Sequence, residues 1–208
     1  SSRPQIMAKR VIGRVWSFRD VTAQRRAETA LRASEAKMRD LANRDGLTGL
    51  FNRRYVLEQL TDGIERSLAS GERLSVALID LDYFKRVNDE LGHLTGDAVL
   101  RDFARQLRER VRATDLVGRY GGEEFLVVLK AANAEAARRV IEKVRESLRD
   151  RSPGSTASGD DAATELPRYT FSCGVAELGV DGGDALGLVG RADERLYEAK
   201  RAGRDRTI

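Results

Sequence analysis

Cysteine and histidine are almost missing from this chain, which holds Cys173 and His93 as single examples of each. One cysteine excludes an internal disulfide and fits a reducing compartment, expected to be the cytoplasm. One histidine and one cysteine leave no ligand set for zinc. Any metal must therefore rest on oxygen donors, which points to magnesium or manganese. No apolar run approaches membrane-spanning length, and nothing at the start has the layout of a signal peptide. Ser1-Ser2 stand where an initiator Met would, so the natural protein is expected to extend further at its N-terminus.

Acidic residues are scarce in one stretch only. Residues 1–44 carry 11 Lys/Arg against 4 Asp/Glu, a balance of +7, whereas residues 45–208 carry 26 against 29, a balance of −3. The pI of 9.4 therefore belongs to the N-terminal segment. A solvated, charged helix explains that excess better than an arm for nucleic acid or membrane, so neither is expected as a partner.

Residues 10–20 read as a strand ending at a turn, with Val11, Val15, Trp16 and Phe18 supplying β-favouring side chains. From Val21 to about Asn43 there is no Gly or Pro, and Ala, Arg, Glu and Leu predict a helix. Leu31 and Met38 stand seven apart after Gln24, with Ala27, Ser34 and Leu41 as a second seam. That heptad is poor in large apolar residues, so a coiled coil built on it is weak or switchable.

Beyond Asp45 helical and strand patterns alternate. A helix with Val56, Leu60 and Ile64 precedes a strand from Leu74 to Asp80, and a helix with Val99, Phe103 and Leu107 follows. Strands at 115–120 and 124–129 flank Gly121-Gly122, and a helix carries Val140, Ile141 and Val144. Residues 151–168 read as a mobile loop. A strand near 169–176 and a helix near 184–201 close the chain. The pattern predicts an α+β fold, helices around a central, mostly antiparallel sheet, preceded by a long N-terminal helix.

Chemistry concentrates at two places. The apolar strand Leu74–Ile79 ends in Asp80 and Asp82, which burial should push to its mouth. Gly121-Gly122-Glu123-Glu124 marks a tight turn, where paired glycines admit backbone angles that other residues resist. If that hairpin lies beside the strand, Asp80, Glu123 and Glu124 converge and repel one another without a cation. With divalent metal they make a two-ion site of the kind that clamps a transferring phosphoryl group.

Gly121-Gly-Glu-Glu-Phe125 resembles the signature of GGDEF-domain diguanylate cyclases in its Glu variant. Three more stretches are similar to that family in order and spacing. They are Asp45-Gly-Leu-Thr-Gly-Leu-Phe-Asn-Arg-Arg54, Asp80-Leu-Asp-Tyr-Phe-Lys-Arg-Val-Asn-Asp89 with Gly92-His-Leu-Thr-Gly-Asp97, and Ala192-Asp-Glu-Arg-Leu-Tyr-Glu-Ala-Lys200 with Gly203-Arg204. The strand, Asp20-Val-Thr and charged helix before them resemble the exit of a PAS sensor domain into a signalling helix. The implied organisation is 1–20 as a PAS remnant, 21–44 as the signalling helix or coiled-coil linker, and 45–208 as the cyclase domain with a palm-like fold shared with nucleotide cyclases and polymerases.

The resemblance implies condensation of two GTP into cyclic di-GMP and two pyrophosphates, at a homodimer interface, with two Mg2+ or Mn2+ ions per half-site. It assigns metal ligation to Asp80, the Leu81 carbonyl, Glu123 and Glu124. Glu123 is also the expected base, with Lys200 and Arg204 as catalytic cations on the triphosphate. Phe84 and Lys85 would meet phosphate, and Asn88 and Asp97 would read guanine. His93 either lines that pocket or is a helix-to-turn residue with its ring otherwise satisfied. Arg112-Ala-Thr-Asp115 resembles the family's inhibitory product site, completed there by an Arg where this chain has Lys143. Lys143 lacks the bidentate fork, although Arg139 could compensate. Arg195 and Asp205 also depart from the family pattern and are expected to be peripheral. The competing readings are an inactive GTP- or cyclic di-GMP-binding sensor, a structural dimerisation module and a mononucleotide cyclase.

Overall fold

The computed structural model describes residues 2–7, 10–16, 20, 22–150 and 166–208. It divides into two compact units, Ser1–Ala42 and Asn43–Ile208. In the first, β1 (Ser2–Met7) pairs antiparallel with β2 (Arg10–Trp16), and α1 spans Thr22–Asn43. The sequence pattern anticipated β2 and α1 but not β1. The Asp20 carboxylate accepts from the Thr22 amide at 2.8 Å, capping the helix start. Ala27 and Ser34 are exposed, and Met38 and Leu41 are each 67% exposed.

The second unit runs β3 (Phe51–Asn52), α2 (Arg53–Ser70), β4 (Leu74–Leu81), α3 (Phe84–Leu91), α4 (His93–Arg110), β5 (Leu116–Arg119), β6 (Glu124–Lys130), α5 (Ala134–Arg149), β7 (Phe171–Glu177) and α6 (Ala185–Arg201). Sheet order is β3-β5-β6-β4-β7, antiparallel throughout except for the short β3–β5 pair. The mostly antiparallel α+β expectation holds.

β4 lies inside the sheet with helices on both faces, which is why every one of its eight residues is buried. The two-residue period sorts its side chains. Ala77, Ile79 and Leu81 pack with Phe103, Phe125 and Ile141 of the α4/α5 face, while Val76 and Leu78 pack with Val56, Leu60 and Leu188 of the α2/α6 face. Charge is tolerated on this strand only at its C-terminal end, and there Asp80 appears.

Close approach of α6 to β7 depends on Gly174. A Cβ there would lie 1.9 Å from the Ala192 carbonyl oxygen and 2.4 Å from the Leu196 nitrogen, both backbone atoms that cannot turn aside. The C-terminal residues then extend the sheet edge. Cys173 donates its amide to Arg206, and Ile208 donates to Cys173.

Residues 151–165 of the expected mobile loop lie outside the described residues, as do 17–19 of the first predicted strand. The end of the loop departs from expectation, since Leu166 is 7% exposed and belongs to the core.

Candidate active site

The β4 and β6 strands pair in a register that sets Asp80 directly opposite Glu124. Glu123, one residue earlier in the hairpin, gives its carbonyl to the Leu81 amide at 3.3 Å. The hairpin therefore does lie beside β4, and its carboxylates reach Asp80. Burial, then mutual charge, raises all three acids above their ordinary values. Asp80 feels Asp82, and Glu123 and Glu124 each feel Asp80. Against this, the Lys200 ammonium sits 2.8 Å from an Asp80 carboxylate oxygen. Among the described residues no three carboxylate, imidazole or thiol groups are drawn into a closed metal cage. What is present is an open, all-oxygen donor set with excess negative charge, which fits a hard divalent cation.

The two glycines work differently from expectation. Neither Gly121 nor Gly122 has positive φ, so the turn does not need their unusual backbone freedom. A Cβ on Gly121 would lie 2.5 Å from a Glu124 carboxylate oxygen, and one on Gly122 would meet nothing within 4 Å. Gly121 makes room for a carboxylate, and Gly122 leaves the hairpin tip bare.

Asp80 and Asp82, both expected at the strand's mouth, are 8% and 5% exposed, and Asp82 is fully engaged by the fold. It accepts from Ser172 and Thr170 hydroxyls at 2.7 Å each and from the Asp205 amide at 3.1 Å. It locks the C-terminal turn against β7.

That turn places Arg204. Helix α6 ends at Arg201, close to where its pattern predicted, so Lys200 lies on the helix and Arg204 beyond it. Arg204 stands in the following turn at φ 63°, its guanidinium 4.5 Å from the Tyr83 ring centre, and still lowers the field on Asp80. Tyr83 itself has φ 56°. Two left-handed, non-glycine residues stacked beside the carboxylates store strain where side chains need fixed aim.

Tyr83 leads into α3, whose first amides, at Phe84 and Lys85, lack intrahelical acceptors. Phe84 is buried and Lys85 exposed. Asn88, half-buried on α3, lies against the first turn of α4. A Cβ on Gly96 would fall 1.9 Å from the Asn88 side-chain oxygen, so Gly96 is what lets Asn88 lie against α4, one residue before Asp97. His93 opens α4, is exposed, and makes no hydrogen bond among the described residues.

The residues of the predicted product site lie apart from this cluster in the chain. Asp115 accepts from the Arg112 amide at 3.2 Å and from the Lys130 amide at 3.1 Å, a turn-fixing role. The Arg112 and Lys143 side chains are exposed, and Arg139 pairs with Glu135 at 3.1 Å.

Two structural roles were not anticipated. Arg119 donates to the Gly122 carbonyl at 2.7 and 3.1 Å and to Asp45 at 3.2 and 3.3 Å, tying the opening motif to the hairpin tip. An Arg two residues before Gly121 was the available signal. Arg195 and Asp205 both take part in ion pairs within the fold. Arg195 pairs with Asp181 at 2.7 Å, and Asp205 receives Arg145 at 2.6 Å and Arg149 at 2.8 Å.

The same arrangement of motifs recurs in known proteins. Residues 42–206 match the family described as diguanylate cyclase, GGDEF domain. Response regulator PleD of Caulobacter vibrioides is 42% identical over 169 residues, which cover 81% of this chain and 36% of PleD. The structure of diguanylate cyclase SiaD in complex with its activator SiaC, from Pseudomonas aeruginosa, superposes with TM-score 0.74 at 38% identity, over 89% of this chain and 68% of that one. The coiled coil and GGDEF domain of DgcB from Caulobacter crescentus, in complex with c-di-GMP, gives TM-score 0.77 at 29% identity, over 91% and 98% of the two chains. The chain thus spans little more than a third of PleD. Hairpin, strand end and closing turn occur together because the chain belongs to the GGDEF-domain diguanylate cyclase family.

Proposed function

We propose that this chain condenses two GTP molecules into cyclic di-GMP, and that two copies must meet to do so. The observation that carries this reading is the pairing of Asp80 with Glu124 across β4 and β6, with Glu123 adjacent and all three acids raised. In each half-reaction a 3′-oxygen forms a bond to the α-phosphorus of the other GTP. The bond from that phosphorus to the bridging oxygen breaks, pyrophosphate leaves, and the hydroxyl proton passes to Glu123. Asp80, Glu123, Glu124 and the Leu81 carbonyl would hold Mg2+ or Mn2+, which supplies charge neutralisation and acidifies the hydroxyl.

The chain's own cations do the rest. Lys200 and Arg204 offset charge on the triphosphate, and the Phe84 and Lys85 amides receive phosphate oxygens at the start of α3. Asp97 accepts from guanine N1–H and N2–H, with Asn88 beside it. Adenine presents an acceptor at N1 and would leave that carboxylate unpaired. His93, exposed at the α3–α4 junction, borders the same space.

Each copy holds one GTP, so a two-fold axis must bring two sites face to face. Exposed Met38 and Leu41 on α1 support pairing through that helix, and a weak seam suits a switchable linker between a PAS-like sensor and the cyclase. Arg112, Asp115 and Lys143 form a product site of modest strength, since Lys143 supplies charge without a fork.

Chromatography of the nucleotide product after incubation with GTP and magnesium tests the reading. The parent makes cyclic di-GMP, and Glu123→Gln lowers the rate by about 10²–10⁴-fold. A dimeric, metal-supplied parent that yields no product would leave a nucleotide-binding sensor instead.

A further inference from the structure

Behind the signature hairpin, α2 and α6 part to leave a cleft of about 500 Å³, within the range of small-molecule sites. Its floor is Leu78, and its walls include Leu57, Leu186 and Val189. One rim carries Glu124 and Asp193, close enough that the Asp193 charge helps raise the Glu124 carboxyl above its ordinary value. Neither carboxylate makes a hydrogen bond or salt bridge among the described residues. The cation on the other rim, Arg53, keeps its charge but is held against Tyr120. Its guanidinium stacks 4.4 Å over the Tyr120 ring and donates to the Tyr120 hydroxyl.

A second observation concerns Gly190, inside α6 on the wall of this cleft. Glycine there costs about 1 kcal/mol relative to alanine. Unlike Gly174 it has no steric excuse, since a Cβ would meet nothing within 4 Å. Helix stability is forgone and the gain is open space. Leu186, one turn earlier, is 85% exposed and gives that space an apolar wall.

We infer that this cleft is a binding site for an organic cation with a compact apolar body, its charged head between Glu124 and Asp193 and its body against Leu57 and Val189. An occupant draws on Glu124 from behind while leaving the α3–α4 side free. It therefore lowers turnover without competing with GTP. That consequence rests on the cyclase reading, whereas binding itself does not.

Benzamidine is the probe, with benzoate as a control of similar shape and opposite charge. Amide resonances of the nucleotide-free 208-residue chain are followed during each titration. Benzamidine should give saturable shifts at Tyr120, Leu186 and Gly190, and benzoate should bind about tenfold or more weakly. Gly190→Leu should abolish the shifts by filling the cleft, and Asp193→Asn should weaken binding several-fold. Equal binding of benzoate, unchanged shifts in Gly190→Leu, or no saturable shifts would each overturn the inference. None of these results depends on GTP turnover, so failure of the cyclase reading registers separately.

Discussion

Asp205 sits between two arginines, whereas Glu123 and Glu124 face another carboxylate. Burial opposes ionisation in both places, yet the outcomes diverge. Bonds from Arg149 and Arg145 hold Asp205 below its ordinary value, while Asp80 helps push both glutamates above theirs. The same contrast separates Asp45 and Asp181, both lowered by hydrogen bonds and arginine partners, from Asp80. Among these six acids, arginine partners hold Asp45, Asp181 and Asp205 ionised. At the hairpin Lys200 pairs with Asp80, yet three carboxylates crowd together where the proposed substrate and cation would arrive. Unfinished electrostatics is thus a better marker of the working site here than acidity alone.

The contrast breaks most visibly at Arg145. Its side chain is 3% exposed, stacks on Phe171, and donates to the Phe171 carbonyl, Asp205 and Thr207. Arg145→Met should destabilise the domain by about 3 kcal/mol, the low end for a broken buried pair because Asp205 keeps Arg149. Glu123→Gln should cost no stability, or raise it slightly, because its charge is disfavoured in the folded state. Urea unfolding midpoints at fixed slope compare the two. A larger loss in Glu123→Gln than in Arg145→Met would overturn the division drawn above.

Sheet and site were legible in the sequence to different depths. Strand β4 was readable because burial on both faces forces an unbroken apolar run, and the hairpin because two glycines precede two glutamates. The convergence of Asp80 with Glu123 and Glu124 needed only that these two elements be neighbours. Asp82 was misread because a carboxylate at a strand end looks identical whether it faces water or Ser172, Thr170 and the Asp205 amide. The end of α6 was legible, with Gly203 as its stop signal, but the turn that aims Arg204 was not. The helix ends at Arg201, Gly203 follows with φ 112°, and Arg204 and Asp205 take positive φ held by tertiary bonds. Arg119 was overlooked because its partners, Asp45 and Gly122, lie on different elements.

Arg119 offers the next test of the contrast, since it is a completed pair that touches the incomplete site. Arg119→Lys retains charge but cannot span Asp45 and the Gly122 carbonyl together. It should cost about 1 kcal/mol of stability, discounted from the usual value for charged hydrogen bonds because both side chains are partly solvated. A double-mutant cycle with Asp45→Asn should recover most of that energy as coupling. Turnover should fall further than stability explains, with the loss in kcat rather than KM, because the hairpin tip loses its tether. An additive cycle with unchanged kcat would reduce Arg119 to an ordinary surface pair.

The smallest effect expected is the pH response of the metal-free protein. Asp80, Glu123 and Glu124 have folded pKa values raised above their ordinary 3.8 and 4.5. Protonation of these groups therefore favours the folded state. Their contribution is fully present below those ordinary values and is lost as pH rises through the raised ones. Asp45, Asp181 and Asp205 do the opposite, stabilising above 3.8 and failing as pH falls through their lowered values. Metal-free Tm should thus climb modestly as pH drops from neutral through the raised values, then fall once the arginine-paired aspartates protonate. Saturating magnesium should flatten the climb by binding the ionised form, and leave the acid-side fall in place. A metal-free Tm that declines steadily from pH 7 downward, with no magnesium dependence, would mean that the hairpin carboxylates are as well compensated as Asp205.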